Sequence, residues 1–286
     1  MKGTPMEKIR ILTDSGSDII APYPQNLTVI PLTIHFGPEE YLDGVTIDHK
    51  TFYEKLVAGK DLPTTSLIPP GEFEQAFDRA EQAGETVIAI ILSSKLSGTY
   101  QSAVLAAEGR DNVYVVDSLN ATLGEQILVK YALELVERGM SASGIASELE
   151  RAKAHATVMG VVDTLEYLHR GGRISKTVAV LGGALSIKPV LRVTDGEVAM
   201  IGKARGSKNS NNFLIQETSK CGVNYEMPIC LGYTGLSDEL LQRYIADSRQ
   251  LWEGKVKELP ISTVGATIGT HVGPGAVVVA FFDTRE

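Results

Sequence analysis

Four hydroxyl side chains and a glycine crowd one short segment of the chain; they are Ser93, Ser94, Ser97, Gly98 and Thr99. The apolar run Val87–Leu92 comes directly before them, and a helical pattern begins at Ala103. A buried strand that leads through small residues into a helix directs hydroxyls and backbone N–H groups to the carboxyl edge of a sheet. Open α/β proteins bind ligands at that edge, and helix N-termini favour anions. The segment contains no carboxylate, histidine or cysteine, so it suits holding an anion better than transforming one.

A histidine near the end of the chain stands beside a tight turn. His271 is followed by Gly273-Pro274-Gly275 and then by the apolar run Val277–Phe282. Because such a turn fixes the histidine relative to a final strand, His271 is a candidate ligand-facing side chain. The remaining histidines are His35, His49, His155 and His169. The histidines lack metal-ligand spacing such as His-x-x-x-His, so no metal site is predicted.

The same two side chains allow a second interpretation, a serine hydrolase. Ser97 would be the nucleophile and His271 its base. Asp14 or Asp117 would orient that base. The Gly-x-Ser-x-Gly elbow of many hydrolases is missing, because the sequence around Ser97 is Lys-Leu-Ser-Gly-Thr.

A third interpretation is a transferase that acts on a small phosphorylated metabolite through the same anion-favouring loops. The chain has no Gly-x-x-x-x-Gly-Lys-Ser/Thr loop, which disfavours a P-loop nucleotide enzyme. It also has no Gly-x-Gly-x-x-Gly after its first strand, which disfavours a dinucleotide enzyme. An apolar tunnel between two domains would favour a binding protein, whereas a small polar pocket would favour the transferase.

Three more polar segments are expected to meet at the edge of the sheet that holds Ser97. They are Thr13–Asp18, Pro63–Ser66 and Asp117–Thr122. Helix capping is the expected role of single hydroxyls among them and in the first segment, namely Ser15, Ser17, Ser93 and Ser118. As a set they indicate a binding site, because parallel strands bring their carboxyl-end loops to one edge.

The hydrophobic pattern predicts an α/β fold. Strands are predicted at Ile9–Thr13, Val87–Leu92, Val113–Val116 and Leu27–Phe36, the last interrupted at Pro31. Helices are predicted from Asp48 to Leu56 and at Glu72–Ala83, Leu123–Arg138 and Ser143–His155. Asp195-Gly196 between two apolar runs predicts a hairpin. We therefore expect a parallel-sheet N-terminal domain at residues 1–158 and a mixed α/β C-terminal domain at 159–286.

Composition predicts a cytoplasmic protein. The 286-residue chain has a formal net charge of −8, which disfavours nucleic acid as the main partner. No apolar run approaches the roughly 18–20 residues that span a bilayer, so no stable membrane insertion is expected. The first residues lack the apolar core of a signal peptide. Cys221 and Cys230 match no zinc pattern, and two buried thiols in a reducing compartment are expected.

Basic side chains are concentrated between His169 and Lys208, which we call the basic segment. It has eight basic and two acidic residues, a net charge of +6, so the rest of the chain carries −14. The basic residues are Arg170, Arg173, Lys176, Lys188, Arg192, Lys203, Arg205 and Lys208. Such clustering in an acidic chain favours a docking surface for an anionic partner.

Several motifs, in order along nearly the whole chain, resemble the DegV family of bacterial fatty-acid-binding proteins. They are Thr13-Asp-Ser-Gly-Ser-Asp, Leu92-Ser-Ser-Lys-Leu-Ser-Gly-Thr-Tyr-Gln-Ser-Ala, Val116-Asp-Ser, Leu168-His-Arg-Gly-Gly-Arg-Ile-Ser, Ile187-Lys-Pro-Val-Leu, Lys203-Ala-Arg-Gly and His271-Val-Gly-Pro-Gly. The resemblance implies a non-enzymatic, two-domain α/β carrier that holds a long-chain fatty acid between its domains and needs no cofactor. It also implies that a separate fatty acid kinase converts the bound acid to an acyl phosphate.

The resemblance also implies which residues meet the head group. Thr65, Ser97 and His271 are expected to hold the carboxylate, with Ser66, Gly98 and Thr99 beside them. Where relatives usually continue Thr-Ser-Gln-Pro-Ser, this chain has Thr65-Ser66-Leu67-Ile68-Pro69. The loss of an amide and a hydroxyl predicts an altered edge of the head-group site.

Two further expectations concern the kinase and the acyl tail. Arg173 and Arg205 lie in family-like motifs inside the basic segment, so they are the candidate kinase contacts. Val178–Leu185 is a candidate wall of the acyl slot, because its small residues leave room for a tail. Close helix packing would explain that segment equally well.

Overall fold

The computed structural model describes residues 7–59, 62–174 and 186–285. In these ranges the strands, in chain order, are β1 (Ile9–Asp14), β2 (Leu27–Ile30), β3 (Thr33–Phe36), β4 (Glu39–Leu42), β5 (Thr64–Ser66), β6 (Thr86–Ile91), β7 (Val113–Asp117), β8 (Ala156–Val161), β9 (Ile187–Thr194), β10 (Glu197–Arg205), β11 (Cys230–Tyr233), β12 (Ile261–Thr263) and β13 (Val277–Phe282). The α-helices are α1 (His49–Ala58), α2 (Pro70–Gln82), α3 (Thr99–Ala107), α4 (Leu123–Glu137), α5 (Ala142–Ala152), α6 (Glu166–Arg170), α7 (Gly206–Cys221), α8 (Glu239–Asp247), α9 (Arg249–Trp252) and α10 (Ala266–Val272). The predicted tail wall Val178–Leu185 lies outside the described residues.

The N-terminal half forms the predicted parallel sheet, in the order β2-β1-β6-β7. Its central strand β6 is buried from Val87 onward, as its unbroken apolar sequence requires. Phe73 and Phe77 of α2 pack on one face of this sheet against Val87 and Ala89. The carboxyl ends of the strands therefore open into the loops that hold the hydroxyl-rich segments.

The predicted strand Leu27–Phe36 is in fact two strands in different sheets. β2 joins the parallel sheet, whereas β3 pairs antiparallel with β4 and β5 in a sheet of its own. Pro31 has no N–H to donate, and the next N–H, of Leu32, donates to Ser15 Oγ instead of a ladder. The parallel register therefore ends at Ile30.

The polar segment Pro63–Ser66 contains a strand, β5, at Thr64–Ser66. Ile34 of β3 pairs with Thr65, and this register fixes the position of Thr65 in the three-stranded sheet. Three hydroxyl residues show no apolar alternation, so their strand conformation depends on the pairing and has no local signal.

The C-terminal half forms a six-stranded mixed sheet in the order β10-β9-β8-β13-β11-β12. All its pairs are antiparallel except β11 with β12. The predicted hairpin joins β9 and β10, and both turn residues have positive φ, 50° at Asp195 and 84° at Gly196. This is the geometry that an Asp-Gly pair favours in a two-residue hairpin loop.

Helix α4 lies between the two larger sheets and contacts both. From Leu123 to Val129 its residues are buried around the whole circumference, among them Ile127 and Leu128. One hydrophobic cluster accordingly joins Ile88 of the parallel sheet to Val158 of the mixed sheet through this helix. The first strand of the mixed sheet along the chain is β8, which begins at Ala156. The predicted domain boundary between residues 158 and 159 lies within this strand, and the division into two domains stays a prediction.

Candidate ligand-binding site

A cavity of about 430 Å³ lies between the carboxyl ends of the parallel strands and one face of the mixed sheet. Its walls are largely aliphatic, and the side chains that form them include Leu32, Leu92, Leu96, Val158, Val162, Leu191, Val193, Val198, Ile268 and Val278. Thr65, Ser97, Gly98 and His271 also line it, together with Arg173. An apolar chamber with a few polar groups matches sites for amphiphilic small molecules.

Thr65 and His271 meet at this cavity although 206 residues separate them in the chain. Thr65 Oγ1 and His271 Nε2 share a hydrogen bond of 2.9 Å. Strand β5 holds the threonine, and the last turn of α10 holds the histidine. Two of the three residues predicted to hold the carboxylate, Thr65 and His271, are therefore hydrogen-bonded to each other.

The His271 imidazole is neutral at physiological pH. Burial lowers its pKa from 6.5 to about 4, and the neighbouring Arg173 guanidinium adds to the effect. Its Nδ1 has no hydrogen-bond partner among the described residues. A β-carbon on Gly171 would lie 2.2 Å from that nitrogen, so the glycine makes room for the ring.

Ser97, the third predicted contact, lies in the turn that opens helix α3. Its Oγ is 2.9 Å from Thr99 Oγ1 and also accepts a hydrogen bond from the Thr99 N–H at 3.2 Å. Thr99 is completely buried and also accepts from the Ile68 N–H at 3.4 Å. Thr99 is not part of the cavity wall, so it supports Ser97 and does not itself face the chamber.

Ser66 and Gly98, which were also predicted near the head group, are part of the cavity wall. Ser66 Oγ lies 2.7 Å from His35 Nε2, on the opposite face of β5 from Thr65. Leu67 packs on Gly98, whose absent β-carbon would lie 2.9 Å from Leu67 Cδ2. Leu67 is 47% exposed, so an apolar side chain covers the outer edge of the Ser97 turn at the position where the chain departs from the family pattern.

A hydrolase relay is not assembled in the described residues. Ser97 and His271 are not hydrogen-bonded to each other, since each has the separate partner given above. Asp14 accepts from the N–H groups of Gly16 and Leu92, and it does not contact the histidine. Asp117 likewise accepts from the N–H groups of Ser94 and Leu119.

Arg173 lies in the cavity wall. Its Nε donates to Leu96 O at 3.2 Å, and its Nη1 donates to Gly171 O. Arg205 is exposed at the end of β10. The two candidate docking residues therefore occupy different environments, one beside His271 and one on the surface.

A second cleft reaches the same polar groups from outside. It measures about 400 Å³ and shares Thr65, Arg173 and His271 with the cavity. Tyr167 and Arg170 also line it. The polar end of the apolar chamber is thus approachable from solvent without passing along the chamber.

Two buried carboxylates at the beginning of α10 were not singled out as site residues by the sequence. Asp18 Oδ1 accepts from the Gly265 N–H at 2.8 Å. Asp43 accepts from the N–H groups of Ala266 and Thr267 at 3.1 and 2.9 Å. Asp18 ends the noted Thr13–Asp18 motif, whereas Asp43 stands in a segment without any motif, so only the fold reveals its role.

The described ranges contain no group of three or more His, Cys, Asp or Glu side chains arranged to hold a metal ion. Cys221 and Cys230 are buried and unpaired by a disulfide. Among the same residues, no helix combines the length and the apolarity that crossing a membrane requires.

Comparison with known proteins agrees with this architecture. Residues 8–284 match the family model described as "Uncharacterised protein, DegV family". A DegV domain-containing protein of Caldanaerobacter subterraneus is 39% identical over 285 residues, covering 96% of this chain and 99% of the relative.

Two solved structures share the fold over nearly the whole chain. A DegV family protein from Thermus thermophilus, described for its fatty acid binding, is 33% identical with a TM-score of 0.84, covering 96% of this chain and 99% of that one. The Streptococcus pneumoniae fatty acid kinase (Fak) B3 protein, loaded with linoleic acid, has a TM-score of 0.85 at 23% identity, covering 96% of this chain and 99% of that one. At that lower identity the likeness concerns the fold.

The parallel sheet joined through α4 to a mixed sheet, the cavity between them and the match over residues 8–284 all lead to one assignment. This chain belongs to the DegV family.

Proposed function

We propose that the protein binds one long-chain fatty acid in the cavity between its two larger sheets. The carboxylate would lie at the end formed by Thr65, Ser97 and His271. The observation that carries the proposal is the cavity itself, about 430 Å³ with largely aliphatic walls and these polar groups beside it. The fatty acid binding described for the 33%-identical Thermus thermophilus relative supports the same ligand class.

The energetics assign different tasks to tail and head. Burying an acyl chain contributes about 0.8 kcal/mol per CH₂, or roughly 12 kcal/mol for some fifteen methylenes before ordering costs. Each hydrogen bond to a charged carboxylate adds about 1.5–3 kcal/mol. The tail therefore supplies most of the affinity, and the head-group contacts fix the orientation.

A neutral His271 suits this role. Because its pKa is lowered to about 4, the ring adds no charge of its own above about pH 5. The nearby Arg173 guanidinium supplies the positive charge that favours a carboxylate at this end. No arrangement in the described residues supports the hydrolase alternative, since Ser97 has no bond to a general base.

We further propose that the carrier presents the bound carboxylate to a separate fatty acid kinase, as the family resemblance implies, and that it works in the cytoplasm. The second cleft supports presentation, because it reaches Thr65, Arg173 and His271 from solvent. The docking surface would be the exposed part of the basic segment. Catalysis would then belong to the kinase, and this chain would act without a cofactor.

Native mass spectrometry of protein freshly purified from bacteria tests the proposal. The expected result is one retained C14–C18 fatty acid per chain, recovered on extraction as free acid without ester or thioester. The ligand class is wrong if the protein is consistently empty and fails to bind any fatty acid on titration.

A cavity-blocking variant provides the matched control for that measurement. Val198 lines the cavity on β10, so Val198→Trp is expected to fill part of the chamber and abolish retention of the acid. Val57 is exposed on α1, outside the cavity, so Val57→Trp should retain it. Equal retention by both variants would place the ligand elsewhere.

A further inference from the structure

The helix that holds His271 begins against carboxylates from distant parts of the chain. Gly265, the residue before α10, has no side chain with which to cap the helix. The N–H groups of Ala266 and Thr267 instead donate to the two oxygens of Asp43, across 223 and 224 residues. A carboxylate at this position is favourable, because the first N–H groups of a helix lack intrahelical partners.

The opposite end of α10 is part of the binding cavity. The helix has only seven residues, Ala266–Val272, and Ile268 and Val272 are in the cavity wall. His271 lies in its last turn and bonds Thr65 at 2.9 Å. A helix this short has little stability of its own, so its position depends on what holds its first turn.

We propose that Asp43 is a positioning residue for His271: by accepting both N–H groups at the beginning of α10, it sets where the imidazole meets the ligand carboxylate. The effect on the ligand rests on the function proposed above. Asp43 does not line the cavity, and its carboxylate reaches the site through the helix. Its two oxygens hold two successive N–H groups, which fixes both the height and the rotation of the first turn.

The bidentate contact distinguishes Asp43 from its neighbour Asp18. Asp18 accepts only the Gly265 N–H, through Oδ1, and its Oδ2 has no partner among the described residues. A carboxamide can replace Asp18 and keep that single bond. At Asp43 a carboxamide would turn an NH₂ group toward one helix N–H, because an amide has a single acceptor oxygen. Burial raises the pKa of both carboxyl groups.

The experiment compares Asp43→Asn with Asp18→Asn in the full chain, using palmitate and its uncharged methyl ester as ligands. Asp43→Asn is expected to weaken palmitate binding about tenfold, which corresponds to about 1.4 kcal/mol, and to change methyl ester binding less than twofold. Its His271 ring signals in the NMR spectrum of the ligand-free protein should move. Asp18→Asn should give a smaller loss, within about threefold.

Ser141→Ala is the control for a cap on a helix that does not pack on α10, since Ser141 Oγ accepts from the Gly144 N–H at the start of α5. It should leave both ligands and the His271 signals as in wild type. An equal loss for palmitate and its ester in Asp43→Asn, or unmoved His271 signals, would overturn the positioning role. A wild-type protein that binds neither ligand would instead refute the proposed function, while the His271 signals still decide the role of Asp43.

Asp43→Glu covers the case in which Asp43→Asn does not fold. It keeps both acceptor oxygens on a side chain one methylene longer, so the helix stays capped but displaced. Weaker palmitate binding with shifted His271 signals is expected. Wild-type affinity and unshifted signals in this variant would contradict the proposal.

Discussion

At the residue scale, the polar end of the cavity depends on side chains that also bond each other. Ser97 uses its Oγ within its own turn, with Thr99, and Thr65 uses its hydroxyl on His271. These bonds orient the three predicted head-group contacts before any ligand arrives, which lowers the cost of ordering them on binding.

Ser97→Ala should weaken fatty acid binding by about 1.5–3 kcal/mol, roughly 10- to 150-fold, because it removes one hydrogen bond to a charged carboxylate while tail burial persists. Isothermal titration with palmitate measures the change. Ser94 is exposed and outside the cavity wall, so Ser94→Ala serves as the control and should match wild type.

The same serine separates a carrier from a hydrolase. We expect wild-type protein not to react with a fluorophosphonate probe, because Ser97 has no bond to His271. Covalent labelling of Ser97 that disappears in His271→Ala would reverse the assignment.

At the element scale, helix α4 carries a buried carboxyl group although it lies between the two larger sheets. Glu125 is completely buried in its first turn, where Oε1 accepts from Thr13 Oγ1 at 2.9 Å and Oε2 has no partner among the described residues. Burial raises the pKa of Glu125 well above its ordinary value, and the nearby Asp14 carboxylate raises it further. The helix therefore holds this group at a cost that grows with pH.

Glu125→Gln tests that cost. Because the folded-state pKa of Glu125 is raised, the folded chain binds more protons than the unfolded chain above about pH 4.3, the ordinary glutamate value. Wild type should thus lose stability as the pH rises from that value through the folded-state pKa, by up to about 1.4 kcal/mol per pH unit. A glutamine side chain does not titrate, so the variant should gain stability over wild type across this window, as measured by urea unfolding between about pH 4.5 and 8.

The control for this titration is on the same helix. Glu137 is exposed in the last turn of α4, so Glu137→Gln removes a carboxyl group from the same helix without relieving any burial and should not reproduce the stability gain of Glu125→Gln. A stability difference for Glu125→Gln that does not change with pH would mean that the buried carboxyl does not titrate in this range.

At the scale of the whole molecule, the charge distribution suggests how a partner would approach. Several cations of the basic segment already bond other residues of this chain. Arg170 pairs with Glu166, Lys188 pairs with Asp163, and Arg192 bonds Thr157. Within the described part of the basic segment, the exposed Lys and Arg side chains that form no ion pair with another described residue are Lys203, Arg205 and Lys208. These three residues lie at the end of β10 and the beginning of α7. We therefore place the proposed docking surface at this junction.

Arg205→Glu should slow acyl-phosphate formation by the partner kinase about tenfold or more at low salt, because a reversed charge on the docking surface slows encounter with an acidic partner. Palmitate affinity and the midpoint of thermal unfolding should stay as in wild type. The difference from wild type should shrink as salt screens the charges.

Lys257→Glu makes the same charge change on an exposed residue outside the basic segment and should leave the kinase reaction unaffected. Equal slowing by both variants would indicate a general effect of net charge. Arg173 is a poorer probe of docking, since it lines the cavity beside His271, and its role as a kinase contact stays a prediction.

The sequence by itself determined the elements with strong local signals. The β6 strand is an unbroken apolar run, the hairpin has its Asp-Gly pair, and Asp48 caps α1 as expected. Motif order along the chain also identified the family and the head-group candidates Thr65, Ser97 and His271. The local elements depend on residues close together in the chain, where propensity and pattern act directly, whereas the head-group candidates came from the resemblance to the family.

Only the tertiary structure decided which of those candidates touch. Thr65 lies on a strand that exists because Ile34 pairs with it, and it reaches His271 across 206 residues. Asp43 accepts hydrogen bonds at the beginning of α10 across more than two hundred residues, and no sequence motif predicts this contact. Long-range contacts of this kind arise when packed sheets bring loops together. The hydrophobic periodicity of a sequence predicts local elements, but it does not indicate which loops will come into contact.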